Sequence, residues 1–175
     1  MSAQSRNDRN KIEIKKLALY ALCVAICLII GFIENLVNLS FIAPGVKLGL
    51  SNCVALLLVC RGDIKGAFSV NIARILLSAL LFGSPISLLF ALCGGIFSLA
   101  VTTVLIRLKS VSEIGVSIAG GAVHNVFQCI AAVVFTGAGV LYYLPVLLLC
   151  GAACGAATGV LVKIISKKLK TNGIF

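Results

Sequence analysis

Long apolar runs alternate with short polar breaks along this chain, and basic residues concentrate at every second break. Thirteen of the fifteen lysines and arginines fall in four stretches: Arg6 to Lys16, Arg61 to Lys65, Arg107 to Lys109 and Lys163 to Lys170. Each stretch lies two apolar segments beyond the last. Short loops rich in Lys and Arg stay on the cytoplasmic side of a membrane, so an even number of crossings between basic stretches predicts six spans with both termini inside. The expected fold is an all-α integral membrane protein, a bundle of six transmembrane helices. It divides into a polar cytoplasmic leader (1–16), a six-span membrane domain (17–165) and a basic cytoplasmic tail (166–175).

The first span is expected from about Leu17 to Ile33. Ala18, Ala21 and Ala25 form a stripe of small residues, which permits close helix approach. Two readings stand: docking to a partner membrane protein, or packing within the bundle. The second apolar stretch, Leu48 to Cys60, is bracketed by Lys47 and Arg61. A helix of that length rises only about 20 Å, short of a hydrocarbon core of about 30 Å. Residues 41–46 must then finish the crossing in non-helical form. Irregular backbone at such depth is tolerated only where it is buried in protein or lines a cavity, so a pocket is expected there.

The third span, Gly66 to Phe82, carries Arg74 roughly 13 Å in from Lys65, with Asn71 and Ser78 on the same face. The fourth, Ile86 to Ile106, has a small, weakly polar face of Gly94, Gly95, Ser98 and Thr102. The fifth, near Ser117 to Phe135, aligns Gly120, His124 and Gln128 at four-residue spacing, with Asn125 beside them. The sixth follows the interfacial pair Tyr142–Tyr143 and starts near Pro145. Its glycines 151, 155 and 159 repeat at four-residue spacing, a packing stripe with no ligand role.

Composition agrees with this outline. The chain has 175 residues, 61% hydrophobic and 11% charged, and six spans leave no room for a soluble catalytic domain. The net charge of +10 suits an anionic inner leaflet, and no nucleic acid is expected. Eight cysteines without a CxxC pair read as small core residues, so neither a disulfide framework nor a metal site is expected, and no cofactor is implied. No Walker A, HExxH, GxSxG or paired-carboxylate pattern occurs, so the chain is expected neither to be an enzyme nor to power transport itself.

Lys47 and Arg74 are the cations that topology leaves unexplained. A charge facing lipid at mid-depth costs at least ~2.5 kcal/mol, so Arg74 should face the interior. Either amides such as Asn52, Asn71, Asn125 and Gln128 solvate the pair, or an anionic ligand completes the site. The expected ligand-binding set is Lys47, Asn52, Arg74, His124, Asn125 and Gln128.

Three runs carry a resemblance. Gly45-Val46-Lys47-Leu48-Gly49-Leu50-Ser51-Asn52, Ser112 through Gln128 with its His124-Asn125-x-x-Gln128, and Leu141-Tyr142-Tyr143-Leu144-Pro145 resemble the membrane family called "Gx transporter" or "heptaprenyl diphosphate synthase component I". Phe127 departs from the glycine expected there. That family is similar to the substrate-binding S components of energy-coupling factor (ECF) transporters in prokaryotic inner (cytoplasmic) membranes. The resemblance implies six helices that bind substrate from outside and dock to a transmembrane coupling subunit with ATPases, with Ala18, Ala21 and Ala25 matching the docking stripe. The expected function is capture of a small anionic or polar nutrient. The synthase name implies instead a membrane partner of a soluble prenyl diphosphate synthase, because the aspartate-rich motif of such enzymes is missing here. A self-standing secondary carrier is the third reading.

Overall fold

The computed structural model describes residues 3–36, 49–108 and 111–171, and every described element is helical. Helix α1 spans Ala3–Leu36, α2 Asn52–Cys60, α3 Ile64–Phe82, α4 Pro85–Leu108, α5 Glu113–Thr136 and α6 Leu144–Thr171, with a 3₁₀ segment over Ala138–Tyr143 before α6. From Ala3 the polar leader is thus the first part of α1, and the basic tail as far as Thr171 is the last part of α6. Five helices are long and apolar enough to cross a membrane. Among the described residues the second apolar stretch carries only the nine-residue α2, too short to cross by itself, so five of the expected six spans are shown. The outer surface is apolar, with Leu80 81% and Leu149 73% exposed. Such a belt needs a lipid solvent, and the chain is a multi-pass membrane protein.

Helices α1, α3, α4, α5 and α6 pack in that order, and α2 lies across their inner side against α3, α4 and α6. Cys53, Ala55, Leu56, Leu58 and Val59 are all buried on α2, as expected of a helix that is apolar all round. Its start lies beside Glu34, whose carboxylate accepts from the Leu50 amide. Its end lies beside Tyr20, whose hydroxyl donates to Asp63 at 2.5 Å. The chain therefore runs back along α1 over the stretch from Glu34 to Tyr20, about 21 Å at the helical rise.

Tight local chemistry makes the α2–α3 turn. The Gly62 amide donates to Val59 O at 2.9 Å and the Asp63 amide to Leu58 O at 3.0 Å, a Schellman stop that needs the positive φ of 81° at Gly62. Asp63 then caps α3 by accepting from the Gly66 amide at 3.0 Å. At the opposite end of α3, Ser84 and Ser87 cap each other's backbone amides at 3.2 and 2.9 Å, with Pro85 in the first turn of α4.

The expected glycine stripe on α6 is the tightest seam in the bundle. A Cβ on Gly155 would lie 2.6 Å from the Ser117 carbonyl oxygen, and one on Gly159 would lie 2.8 Å from the Ile114 Cα. Gly121 on α5 meets the Gly151 carbonyl in the same way. Backbone touches backbone there, which only glycine permits.

Two apolar clusters fill the half of the bundle nearest the basic residues. One gathers Cys27, Leu58, Val59, Ala67, Val70 and Leu99 between α1, α2, α3 and α4. The other joins Cys53, Leu56, Val116 and Val162 across α2, α5 and α6. Among the described residues, the basic positions other than Arg74 fall at this end. They lie on the first turns of α1, the α2–α3 turn, and the last turns of α4 and α6.

Candidate functional site

Beyond the two clusters the helices part around a cavity of about 590 Å³. All six helices line it. Asn52, Arg74, His124, Asn125 and Gln128, five of the six expected site residues, are on its wall. Lys47 lies outside the described residues. The cavity starts at the end opposite the basic residues, at Phe82, Ser84 and Ser87, and reaches inward to Thr102, Ser117 and Thr158. Leu56, Val116 and Val162 close it from the basic end.

Arg74 is held by three short hydrogen bonds. Nη1 donates to Ser51 Oγ at 3.0 Å, and Nη2 donates to Asn52 Oδ1 at 2.6 Å and to Asn71 Oδ1 at 2.7 Å. Asn71 is 2% exposed and donates its amide to the Gly95 carbonyl of α4 at 3.2 Å. Ser51 Oγ in turn donates to Glu34 at 3.4 Å. One polar network thus ties α1, α2, α3 and α4 together around the cation. A guanidinium carries five N–H donors, and three of these serve the protein. Arg74 Nε is buried without a hydrogen-bond partner among the described residues.

Of the two sources of solvation open from sequence, amides from Asn52 and Asn71 are realised, and Glu34 joins them through Ser51. Glu34 stands on the cavity wall and gives this network its carboxylate. The signal was available, since an acid at the end of an apolar span is costly unless it is paired. Ser51 carried no such signal.

The α5 wall is shaped by glycines on α4. A Cβ on Gly94 would lie 3.0 Å from the His124 imidazole, and one on Gly95 would lie 3.2 Å from Asn71 Nδ2. The adjacent glycines therefore make room for one polar side chain from each neighbouring helix. Gly120 sits under Thr102 and Ser98, where a Cβ would come within 2.6 Å of Thr102 Cγ2. Asn125 donates to the Leu147 carbonyl of α6, which makes it a tie between helices as well as a lining residue. Phe127 is not on the cavity wall. It stacks on Phe97 with centroids 3.9 Å apart, so its ring does not enter the pocket.

The alanine stripe faces outward. Ala18, Ala21 and Ala25 are exposed on α1, while Tyr20, Cys23, Val24 and Cys27 make its inner face. Packing within the bundle, the second reading of the stripe, is not what these residues do.

No curated protein and no solved structure matches the chain. The family model described as heptaprenyl diphosphate synthase component I matches residues 23–165, which takes in every residue that lines the cavity. The chain belongs to the heptaprenyl diphosphate synthase component I family.

Proposed function

We propose that this chain is an S-component-like membrane protein that captures a small anionic or polar nutrient for uptake and depends on partner subunits for energy. The observation that carries the reading is the cavity of about 590 Å³ built around Arg74, Asn52, His124 and Gln128. Cavities of this size hold small molecules, and ionisable groups at membrane depth mark ligand or ion pathways. Six crossings with both termini in the cytoplasm complete the reading. They are supported by the run of α2 back along α1 and by the gathering of the basic residues at one end. The cavity then opens to the outside, and the charged end meets the anionic inner leaflet.

The partner is proposed to be a transmembrane coupling subunit with its ATPases, docked on α1. The exposure of Ala18, Ala21 and Ala25 supports that surface. Replacing Ala21 and Ala25 with Leu should leave folding intact, because both side chains are already exposed, and should abolish co-purification of a coupling subunit. Normal assembly of the double variant would remove the stripe from the account.

The family description favours a second reading, a non-catalytic membrane subunit of polyprenyl diphosphate synthesis. Purification in mild detergent separates the two. Co-purifying ATPases and a retained small polar molecule, identified by mass spectrometry, support capture. A co-purifying soluble prenyl synthase supports the second reading.

A further inference from the structure

At the basic end a second recess, of about 290 Å³, lies between the start of α5 and the last turns of α6. Ser112 and Glu113 line it on one side, and Lys163, Ser166 and Lys167 on the other. It shares no residue with the large cavity.

Ser112 caps α5, a helix of 24 residues. Its Oγ accepts from the Gly115 amide at 3.2 Å, and its carbonyl accepts from the Val116 amide at 2.9 Å. The helix supplies no partner for the Glu113 and Ile114 amides, and its dipole places about half a positive charge at this end. Across the recess, Lys163 and Lys167 stand one turn apart and are exposed. Two lysines against the single carboxylate of Glu113 leave one formal positive charge on the wall.

Ser166 is a second and independent sign. It is 7% exposed, and its Oγ is buried with no hydrogen-bond partner among the described residues. A hydroxyl within a helix can donate to the carbonyl four residues back, as Thr158 and Thr171 do on this same helix. Ser166 does not, and a buried donor left so costs free energy that a ligand oxygen would restore. Apolar side chains adjoin the charges. Val160, one turn from Lys163 toward the middle of the bundle, is 44% exposed, and Ile164 is 50% exposed. A free ion gains nothing from such a surface, whereas an acyl chain does.

We propose that this recess is a phospholipid headgroup site. The phosphodiester lies between Lys163 and Lys167 at the start of α5 and accepts from the Ser166 hydroxyl, with its acyl chains along Val160 and Ile164. A phosphodiester carries one negative charge, which matches the formal charge of the wall, and lysine meets it as a flexible point charge. Because both lysines are exposed, their long side chains can part above Ser166 and close again on the phosphate. Basic pockets between helices at the cytoplasmic face suit lipid headgroups for the same reason. The proposal needs the multi-pass membrane fold and is independent of the capture reading.

The test uses the full chain in mild detergent with three probes: dioctanoyl phosphatidylglycerol, dioctanoylglycerol without the phosphate, and inorganic phosphate. Native mass spectrometry counts bound lipid, and thermal unfolding follows stability. Phosphatidylglycerol should be retained and should raise the melting temperature; the other two, at equal concentration, should not. Lys163→Gln with Lys167→Gln should weaken retention roughly tenfold, as expected for lost bonds to a charged group. Lys15→Gln with Lys168→Gln removes the same charge outside the recess and should leave retention unchanged. Ser166→Ala should weaken it about fivefold, the effect of one hydrogen bond. The lipid-free Ser166→Ala protein should melt no lower than wild type, because no bond within the fold is lost. Equal retention of dioctanoylglycerol would reduce the site to an apolar surface, and equal stabilisation by inorganic phosphate would make it a free-anion site; either overturns the proposal. So would equal losses in the two lysine pairs, or unchanged lipid retention in Ser166→Ala.

Discussion

The two halves of this bundle are built from the same six helices and pack in opposite ways. Toward the basic end, side chains fill the space between helices, with Val116 and Val162 fully buried and Leu58 and Val59 almost so. Toward the other end, small residues draw the helices together while polar side chains bond sideways to each other and to carbonyls, which leaves a cavity. The hydrogen bonds of Asn71, Arg74 and Ser98 run along the wall. The difference teaches that a membrane cavity is held open by walls whose polar groups mostly have protein partners before any ligand arrives, Arg74 Nε being left without one among the described residues. An unsatisfied group in that medium costs several kcal/mol, so such a wall would collapse onto itself or fill with side chains.

The largest effect is expected where the two halves share one seam. Gly121→Val places a side chain against the Gly151 carbonyl, a backbone atom that cannot step aside. The variant should lose roughly 3 kcal/mol or fail to fold, at the upper end of overpacking costs, as read by thermal unfolding in detergent. Near-normal stability would mean that α5 and α6 are not held this closely.

Next comes the network of the open half. Arg74→Lys keeps the charge and loses the three-way fork, so Asn52, Asn71 and Ser51 are left without their donor. A loss of roughly 2 kcal/mol is expected, within the range for hydrogen bonds to charged groups, and Arg74→Gln should cost at least as much. The packed half should be indifferent: hydrogen exchange should rise in α2 and α3 near Asn52 and Asn71 and stay slow around Val116 and Val162. A uniform rise in exchange across both halves would erase the distinction between them.

The smallest effect belongs to the turn at the basic end. The Tyr20 hydroxyl, with the Gly66 amide behind it, holds the Asp63 carboxyl below the usual carboxylate range. A carboxylate depressed on folding contributes stability that is fully present above its unfolded value of about 3.9. That contribution disappears as pH falls through the lower folded value. Asp63→Asn should therefore cost a few tenths of a kcal/mol at neutral pH, the turn being only partly buried, and nothing at strongly acid pH, where the wild-type carboxylate is already neutralised. A cost that does not change with pH would place the role of Asp63 in shape and not in charge.

What could be read from the chain divides along the same line. The cation pattern located the ends of the helices, and the repeat of Gly151, Gly155 and Gly159 located a seam, because both are properties of one element at a time. The position of Arg74, flanked by Asn71 and Ser78, likewise brought out an inward polar face. Its partners were harder to see. Asn71 shares its helix and was within reach of periodicity, but Ser51 and Glu34 come from other elements, and no spacing along the sequence joins them. The shortness of α2 was half visible in the short apolar stretch between Lys47 and Arg61. The role of Ser98 was invisible: sequence gives a hydroxyl, and only the fold shows which carbonyl takes its proton.

The central claim is a solute cavity that opens away from the basic end. Cys154 lines that cavity and provides a native probe of it. With the other seven cysteines replaced, a small, membrane-impermeant methanethiosulfonate reagent applied to intact cells should label Cys154. The same reagent applied to inverted vesicles should not, and a retained ligand should slow the outside reaction. Labelling from the inverted side only, or from neither side, would contradict the account.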